Sequence, residues 1–243
     1  MKMNLTIDIG NTRTKLIAFN GSQLMDELAI ADGEWNRIAI FCNSHHFERG
    51  ILSSVIKPTA AFMSVVHSLG FPVMELHPAS TPTPLNILYK TPATLGADRL
   101  AAAVGAWMKA EGCPVLIVDA GTCITYDFVT VAGDYFGGNI SPGVETRLKS
   151  LHEFTASLPQ VEAEGDVPDL GYSTETAIRS GVVKGVEYEI NGYISDYLLK
   201  YPNLLVYLTG GGQKYLHISE KTPTFADDYL VSEGLNHILM YNK

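Results

Sequence analysis

The sequence has few of the features that mark secreted or membrane-spanning proteins. Only three of its 243 residues are cysteines (Cys42, Cys113 and Cys123), and no two form a Cys-x-x-Cys pair. Such an odd, unpatterned set is typical of reduced thiols in a cytoplasmic protein. No apolar run reaches the roughly 18 residues that a membrane-spanning helix needs, so we expect no membrane partner. The opening MKMNLTIDIG enters a strand-like pattern at once, so we also expect no signal peptide.

Positive charge is scarce as well. Lys and Arg total 17 while Asp and Glu total 26, which gives a formal net charge of −9. Because the nucleic-acid backbone attracts clustered Lys and Arg, this balance predicts no nucleic-acid partner. A negatively charged substrate would need local cationic groups or a metal ion. The 46% hydrophobic and 18% charged content is typical of a globular protein with a packed core.

Two common nucleotide-binding motifs are missing. The sequence has neither the dinucleotide pattern Gly-x-Gly-x-x-Gly nor the P-loop pattern Gly-x-x-x-x-Gly-Lys-[Ser/Thr]. These absences exclude, at the level of sequence motifs, a Rossmann dehydrogenase and a P-loop kinase.

A segment near the N-terminus recurs in the middle of the chain. LTIDIGNTRTKLIAF begins at residue 5 and LIVDAGTCITYDFV begins at residue 116. Their alignment places Asp8 on Asp119, with a glycine two residues later in each copy. Each copy reads as an apolar strand, a turn bearing hydroxyl groups and a second strand. The repeat predicts two similar domains, and a cleft between such domains is a common small-molecule site.

Hydrophobic periodicity predicts an α/β chain around this repeat. Four prolines between residues 78 and 92 predict a loop or extended segment. Strands are predicted over residues 5–10, 14–19, 23–30, 50–55, 72–76, 115–120, 124–131, 135–140 and 204–208. Helices are predicted over residues 58–69, 94–110, 142–156, 174–199 and 228–240.

The two Asp-x-Gly turns have side chains suited to a nucleoside triphosphate and a metal ion. Carboxylates such as Asp8 and Asp119 repel phosphate, but they can hold Mg²⁺, usually through water. Lys15 adds a positive charge suited to phosphate. A single Asp-x-Gly is more often only a turn, whereas two at corresponding strand ends favour a binding site. The first turn also has three hydrogen-bond donors for phosphate oxygens: Asn11, Thr12 and Thr14.

Six motifs follow one another along the chain: DIGNTRTK (8–15), LGADR (95–99), DAGTCITYD (119–127), GGNISPG (137–143), GYST (171–174) and TGGG (209–212). In this order they resemble the motifs of type III pantothenate kinases. DIGNTRTK and DAGTCITYD alone are typical of any actin-like ATPase fold, whereas LGADR with GGNISPG narrows the resemblance to this family. The resemblance covers nearly the whole chain, and Cys123 stands where alanine is expected.

The resemblance implies a fold, an activity and partners. The fold would be two RNase H-like α/β domains of the actin/Hsp70/sugar-kinase type, residues 1–113 and 114–243, with an active-site cleft between them. The activity would be transfer of the ATP γ-phosphate to the primary hydroxyl of pantothenate, the first step of coenzyme A biosynthesis. The resemblance further implies Mg²⁺, a monovalent cation (K⁺ or NH₄⁺), a homodimer and a cytoplasmic location.

It also implies roles for individual residues. Asp98 would be the general base, and Asp119 would lie at the monovalent cation. The phosphates of ATP would be bound by Thr122 and by the first turn: Asp8, Ile9, Gly10, Asn11, Thr12, Arg13, Thr14 and Lys15. Pantothenate would be contacted by Tyr89, Gly96, Ala97, Asp98, Arg99 and Thr174.

Physical reasoning leaves several alternatives open. Asp98 is also a good N-cap for the helix that follows it, and Arg99 is suited either to a carboxylate or to a phosphate oxygen. GGNISPG predicts a helix N-terminus facing an anion, or only a turn that leads into a helix. TGGG allows close approach of a flat ligand such as adenine, or forms a flexible turn. The alternative functions are another kinase or phosphatase of this fold and a non-catalytic protein that kept it.

Overall fold

The chain forms two compact α/β units in a computed structural model that describes residues 2–218 and 223–242. Unit 1 comprises residues 2–111, 133–136 and 229–242. Unit 2 comprises residues 112–132 and, within the described residues, 137–228. The predicted limit between residues 113 and 114 lies close to the point where the chain first passes from unit 1 to unit 2. As a domain limit it stays a prediction.

Eleven strands and six helices make up the two units within the described residues. The strands are β1 (Met3–Ile9), β2 (Thr14–Asn20), β3 (Gln23–Ile30), β4 (Phe47–Ser54), β5 (Val73–Glu75), β6 (Asn86–Ile87), β7 (Val115–Ala120), β8 (Cys123–Val129), β9 (Asp134–Pro142), β10 (Leu205–Thr209) and β11 (Thr224–Ala226). The helices are α1 (Asn36–Asn43), α2 (Ala60–His67), α3 (Ala97–Lys109), α4 (Val144–Glu153), α5 (Thr174–Lys200) and α6 (Leu230–Tyr241). No helix in these described ranges is long and apolar enough to cross a membrane.

The strand order confirms the repeat seen in the sequence. The sheet of unit 1 has the order β3-β2-β1-β4-β5, and the strands of unit 2 follow the corresponding order β9-β8-β7-β10-β11. In unit 1, β1 pairs with β2 in antiparallel and with β4 in parallel orientation. In unit 2, β7 likewise pairs with β8 in antiparallel and with β10 in parallel orientation. Within unit 1, β6 pairs in parallel with Asp134 and Tyr135, the first residues of β9.

Strand β1 has one face in the apolar core of unit 1 and an opposite face with polar side chains. Alternate residues point to opposite faces of a strand, and Leu5, Ile7 and Ile9 are buried in a core shared with α1 and α2. The other face includes Thr6 and Asp8, and it lies towards α6, which packs against β1. Strand β1 therefore directs the Asp8 carboxyl away from the main apolar core.

Helices α3 and α6 of unit 1 pack with unusually close backbones. A Cβ added at Gly105 would lie 2.3 Å from the carbonyl oxygen of Leu230, and one at Gly234 would lie 1.8 Å from that of Ala101. Both distances are far below a normal contact, so these positions require glycine. The close contact fixes the axis of α3, whose first turn contains Asp98.

The core of unit 2 lies between its sheet and the long helix α5. Val186 and Ile190 of α5 are fully buried. The aromatic residues of α5 pack on β8: the ring centroids of Tyr126 and Tyr193 are 4.1 Å apart, and those of Phe128 and Tyr197 are 4.9 Å apart. The tyrosines that recur along α5 therefore stabilise the core of this unit.

The main differences from the sequence prediction concern four elements. The periodicity did not predict α1 or β11, although both are present. The helix predicted from residue 142 begins at Val144, because Pro142 still belongs to β9 and Gly143 is the N-cap. The helix predicted from residue 94 begins at Ala97, after a single 3₁₀ turn over Pro92–Thr94.

Candidate active site

The first Asp-x-Gly turn joins β1 to β2 in unit 1. Asp8 is paired with Lys15 across the two strands, and the Gly10 amide donates a 3.0 Å hydrogen bond to the Arg13 carbonyl, which closes the turn. The side chain of Ile9 is buried, so only its backbone faces the turn. Of the remaining residues of the motif, Thr14 is buried, whereas Asn11, Thr12 and Arg13 are exposed.

The carboxyl of Asp8 has one buried oxygen that lacks a hydrogen bond. Its Oδ1 atom has no hydrogen-bond partner among the described residues. Burial, and after it the nearby Asp98 carboxylate, raises the pKa of Asp8 from its ordinary value to about 7. The Ser53 hydroxyl and the Lys15 ammonium act in the opposite direction. Ser53 is the in-register neighbour of Asp8 on β4.

The ammonium of Lys15 lies over an aromatic ring that none of the sequence motifs contains. The distance from Nζ to the centroid of the Tyr229 ring is 4.7 Å. Tyr229 is the N-cap residue of α6 and belongs to the same unit as Lys15. A cation–π contact of this kind restricts the directions in which the ammonium points.

The motif LGADR forms the start of α3. Gly96 is the N-cap and Ala97 is the first helical residue, so the alternative that Asp98 is the N-cap is wrong. Asp98 lies in the first turn, where its Oδ1 accepts a 2.8 Å hydrogen bond from the Arg99 amide. A Cβ at Gly96 would lie 2.5 Å from the same Oδ1 atom. The position of the Asp98 carboxylate therefore depends on glycine at residue 96.

Two other residues of unit 1, which the family resemblance assigns to pantothenate contact, lie together. The Arg99 guanidinium carbon lies 5.9 Å from the centroid of the Tyr89 ring. Arg99 is 7% exposed, which is low for an arginine. Tyr89 follows the two-residue strand β6, and it is only partly buried. The tyrosine predicted from the family resemblance is therefore adjacent to the predicted arginine.

The second Asp-x-Gly turn joins β7 to β8 in unit 2 and is one residue shorter than the first. The Gly121 amide donates a 2.9 Å hydrogen bond to the Cys123 carbonyl, and Thr122 is exposed. Asp119 lies beside Gly210, where an added Cβ would be 2.4 Å from Oδ1 of Asp119. Gly210 has a φ of +89°, which favours glycine in any case.

The end of the motif GGNISPG packs against this second turn and leads into α4. The Thr122 carbonyl accepts hydrogen bonds from the Gly143 amide at 2.9 Å and from the Thr146 hydroxyl at 2.7 Å. A Cβ at Gly143 would lie 2.1 Å from the Gly121 carbonyl oxygen. Gly138 instead lies against β8, where an added Cβ would be 1.4 Å from the Tyr126 carbonyl oxygen. The start of α4 therefore packs directly on the turn.

The glycines of TGGG differ in what they do. The Gly212 amide donates a 2.7 Å hydrogen bond to the Ala120 carbonyl, and Gly210 packs on Asp119, so both belong to the structure of the turn. A Cβ at Gly211 would meet no atom within 4 Å. Only Gly211 faces open space, which leaves its backbone accessible to a ligand.

The motif GYST begins α5. Ser173 is the N-cap and forms a capping box with Thr176. Thr174 is the first helical residue and is exposed. The helix start therefore presents the Thr174 side chain to solvent in unit 2.

A small pocket adjoins the first turn within unit 1. It has a volume of about 90 Å³ and is lined on one side by residues 9–14. The opposite side includes Trp35 and Phe62, whose rings meet edge to face at 5.2 Å. Pro58 and Thr59, at the start of α2, complete this wall. The turn thus has one polar exposed edge and one largely apolar pocket beneath it.

The structure brings the assigned residues together in separate groups. In unit 1, Asp8, Lys15 and Asp98 are close enough for their charges to interact, and Arg99 lies against Tyr89. In unit 2, Asp119, Thr122, Gly143 and Gly210 form a second cluster. Sequence reasoning missed Ser53 and Tyr229. A hydroxyl within the apolar run ILSS was a signal for Ser53, whereas no local pattern singled out Tyr229.

The residues at the end of β1 suit a divalent cation that also binds phosphate. No cluster of three or more His, Cys, Asp or Glu side chains suited to a metal occurs in the part of the chain that the structure describes. Mg²⁺ is usually bound by one or two carboxylates plus water and substrate phosphates. A cation would offset the cost of burying the charged form of Asp8, whose Oδ1 lacks a partner. The donor set therefore fits Mg²⁺ held together with a nucleotide.

Comparison with known proteins gives consistent matches over the full length. A family profile described as type III pantothenate kinase matches residues 4–196. Proteins of that description from Bacteroides fragilis and Phocaeicola vulgatus are each 47% identical to this chain, with 99% of this chain covered and 98% and 99% of theirs. One from Cytophaga hutchinsonii is 39% identical over 99% of this chain and its own full length.

Solved structures match the fold. A Campylobacter jejuni protein described as a conserved Baf family transcriptional activator is 21% identical, with a TM-score of 0.61 over 98% of both chains. A ROK family glucokinase from Streptomyces griseus, solved with glucose and AMPPNP, is 11% identical, with a TM-score of 0.55 over 98% of both chains. At these identities the matches concern the fold alone. They confirm the predicted α/β fold of the sugar-kinase type.

Proposed function

Because the chain belongs to the type III pantothenate kinase family, we propose that it transfers the γ-phosphate of ATP to the primary hydroxyl of pantothenate, the first step of coenzyme A biosynthesis. The observation that carries the proposal is the pairing of two carboxyl groups, Asp8 at the end of β1 and Asp98 at the start of α3. Asp8 suits a metal ion bound to the phosphates, and Asp98 suits the alcohol that attacks the γ-phosphorus.

Each of the two Asp-x-Gly turns has groups suited to the phosphates of a nucleotide. Asn11, Thr12 and Arg13 are exposed donors in the first turn, and Lys15 supplies a charge held over the Tyr229 ring. Thr122 is the exposed hydroxyl of the second turn. Phosphoryl transfer depends on positioning and charge stabilisation, so rigid turns of this kind supply much of what the reaction needs.

Asp98 acts as the general base. It accepts the proton of the pantothenate hydroxyl as the bond from that oxygen to the γ-phosphorus forms and the bond from phosphorus to the ADP oxygen breaks. Its carboxylate is held by the Arg99 amide at 2.8 Å. The other group that faces the acceptor is the Arg99 guanidinium, which suits the carboxylate of pantothenate.

The remaining acceptor contacts follow from the family resemblance. Tyr89 orients the Arg99 guanidinium through the 5.9 Å ring contact. Gly96 and Ala97 bring the helix backbone close to the acceptor, and the exposed Thr174 hydroxyl offers a further hydrogen bond. Together these groups would recognise a short polar acid with a primary alcohol.

Two cations are part of the proposal. Asp8 would hold Mg²⁺, which when bound neutralises charge on the β- and γ-phosphates. Asp119 would hold K⁺ or NH₄⁺ beside the Gly210 backbone. The support for the first is the unpartnered Oδ1 of Asp8, and for the second it is the place of the Asp119 carboxylate at the turn, beside Gly210.

A homodimer in the cytoplasm is the expected form of the protein. Unit 2 exposes several large apolar side chains, and such surfaces often mark contact with another subunit. A second copy of the chain is the natural partner because homodimers with two-fold symmetry are the commonest oligomers. The exposed residues are Phe154, Leu170, Tyr172, Tyr188 and Leu199.

An ATP-consumption assay tests the proposal. Purified protein with Mg²⁺ is assayed with and without pantothenate, first in K⁺ and then in Na⁺ buffer, with Asp119→Asn alongside. We expect turnover that requires pantothenate, rises with K⁺ and loses its K⁺ dependence in the variant. Turnover with other alcohols or sugars, and none with pantothenate in any buffer, would assign the fold to a different kinase.

A further inference from the structure

A single carboxylate of α5 joins four elements of unit 2. Glu189 Oε1 accepts a 2.7 Å hydrogen bond from the Tyr126 hydroxyl on β8 and a 2.6 Å hydrogen bond from the Ser141 hydroxyl on β9. Its Oε2 accepts a 2.5 Å ion-paired hydrogen bond from Arg147 on α4. The carboxylate thus accepts hydrogen bonds from β8, β9 and α4.

The pair of Glu189 and Arg147 is partly shielded from solvent. The two side chains are 26% and 24% exposed, which strengthens their attraction relative to a surface pair. Burial raises the pKa of Glu189, but the hydrogen bonds from Ser141, Arg147 and Tyr126 outweigh it and hold the pKa below its ordinary value. The carboxylate is therefore charged at neutral pH.

Arg147 extends this network to the start of α4. Its Nε donates a 2.7 Å hydrogen bond to the Pro142 carbonyl, one residue before the N-cap Gly143. The Gly143 amide and the Thr146 hydroxyl then both bind the Thr122 carbonyl. The path from Glu189 to the Thr122 turn is therefore a short chain of hydrogen bonds within one unit.

We propose that Glu189 is a positioning residue that holds the start of α4 against the Thr122 turn, and through it sets the affinity for the phosphates of ATP. The inference rests on the proposed function, since it takes Thr122 as a phosphate ligand. Glu189 does not itself contact the nucleotide. It acts through Arg147 and Ser141, and loss of its carboxylate removes the 2.7 Å acceptor of the Tyr126 hydroxyl, whose residue is 1% exposed.

The experiment compares Glu189→Ala, Glu189→Gln and the control Asp196→Ala, which removes an exposed carboxylate from the same helix. ATP affinity is measured by isothermal titration calorimetry, together with KM for ATP and KM for pantothenate. We expect Glu189→Ala to weaken ATP binding by about ten- to a hundredfold, as small misplacements of catalytic groups do. KM for pantothenate should change less than about twofold, within the scatter expected for an unaffected site.

Glu189→Gln keeps an oxygen for Tyr126 and Ser141, so we expect it to restore part of the loss, while Asp196→Ala matches the wild type. Equal changes in both KM values, or unchanged ATP affinity in Glu189→Ala, would overturn the proposal. If Glu189→Ala does not fold, Tyr126→Phe and Ser141→Ala remove one hydrogen bond each and should weaken ATP binding selectively. Calorimetry with ATP alone needs no phosphate acceptor. It therefore tests the role of Glu189 even if pantothenate is not the substrate.

Discussion

The Lys15 ammonium lies 4.7 Å from the centre of the Tyr229 ring. The residues are more than two hundred positions apart in the chain, and the contact places an aromatic face under the charge proposed to bind phosphate. A ring in this position restrains the long lysine side chain before the nucleotide arrives, which lowers the entropy lost on binding.

Replacing Tyr229 tests this restraint. We expect Tyr229→Leu to raise the dissociation constant for ATP by about two- to tenfold, the range set by cation–π energies. Tyr229→Phe keeps the ring and should bind ATP nearly as the wild type does. Calorimetric titration of ATP into each variant measures the effect. Equal weakening by both substitutions would assign the role to the hydroxyl group instead.

The second prediction concerns Gly96. Alanine there would place a Cβ 2.5 Å from Oδ1 of Asp98, so the carboxylate must rotate away from its present position. We expect kcat to fall by about ten- to a hundredfold in Gly96→Ala, because the base is displaced. Gly192→Ala is the matched control, since its added Cβ meets no atom within 4 Å. Steady-state kinetics on both variants would contradict the prediction if kcat were unchanged in Gly96→Ala.

The third prediction concerns the pH dependence of stability without ligand. Burial and the charge of Asp98 together raise the pKa of Asp8 to about 7 from an ordinary value of 3.8, so the folded protein holds this proton more tightly than the unfolded chain. The contribution of Asp8 is therefore most favourable below pH 4 and is lost as the pH rises through 7. Asp8→Asn removes the charge at every pH.

Urea denaturation of wild type and Asp8→Asn at two pH values measures this effect. We expect the variant to be more stable than wild type at pH 8, by up to about 4 kcal/mol at about 1.4 kcal/mol per pKa unit. The difference should largely disappear at pH 4. Asp196→Asn, which alters an exposed carboxylate, should show no such pH-dependent gain. A variant that is less stable than wild type at pH 8 would contradict the assigned burial cost.

The fourth prediction concerns the contact of α3 with α6. Gly234→Ala would place a Cβ 1.8 Å from the Ala101 carbonyl oxygen, which only separation of the helices can relieve. We expect a loss of stability of at least about 3 kcal/mol, in the range of severe overpacking. Gly192→Ala in α5 should instead be neutral or stabilising, because alanine favours a helix. Thermal unfolding of the two variants distinguishes these outcomes.

The sequence predicted elements whose signal is local. The repeat around Asp8 and Asp119 predicted both hairpins, and their strand order is the same in the two sheets. Strand β7 and strand β3 have the predicted bounds, because each is a short patterned run between turn residues. Helix α1 was missed since its N-cap, Trp35, has no capping side chain. Strand β11 was missed because it has three residues and depends on pairing with β10.

The candidate site was predictable only where its residues form a continuous motif. DIGNTRTK and LGADR are such runs, and they contain Asp8, Lys15, Asp98 and Arg99. Tyr229 reaches Lys15 through the packing of α6, which no spacing in the sequence encodes. The N-cap of α3 was also unpredictable from residue preference alone, because Gly96 takes a position for which Asp98 is chemically better suited.

Mass-spectrometric detection of phosphopantothenate is the decisive measurement for the proposed reaction. Wild type and Asp98→Asn are incubated with ATP, Mg²⁺, K⁺ and pantothenate, and the product is followed over time. We expect steady formation of phosphopantothenate by the wild type and a rate lower by about a hundred- to ten-thousandfold in Asp98→Asn, as for loss of a general base. Absence of phosphopantothenate with folded wild type, or equal rates in the two proteins, would contradict the proposed reaction and its base.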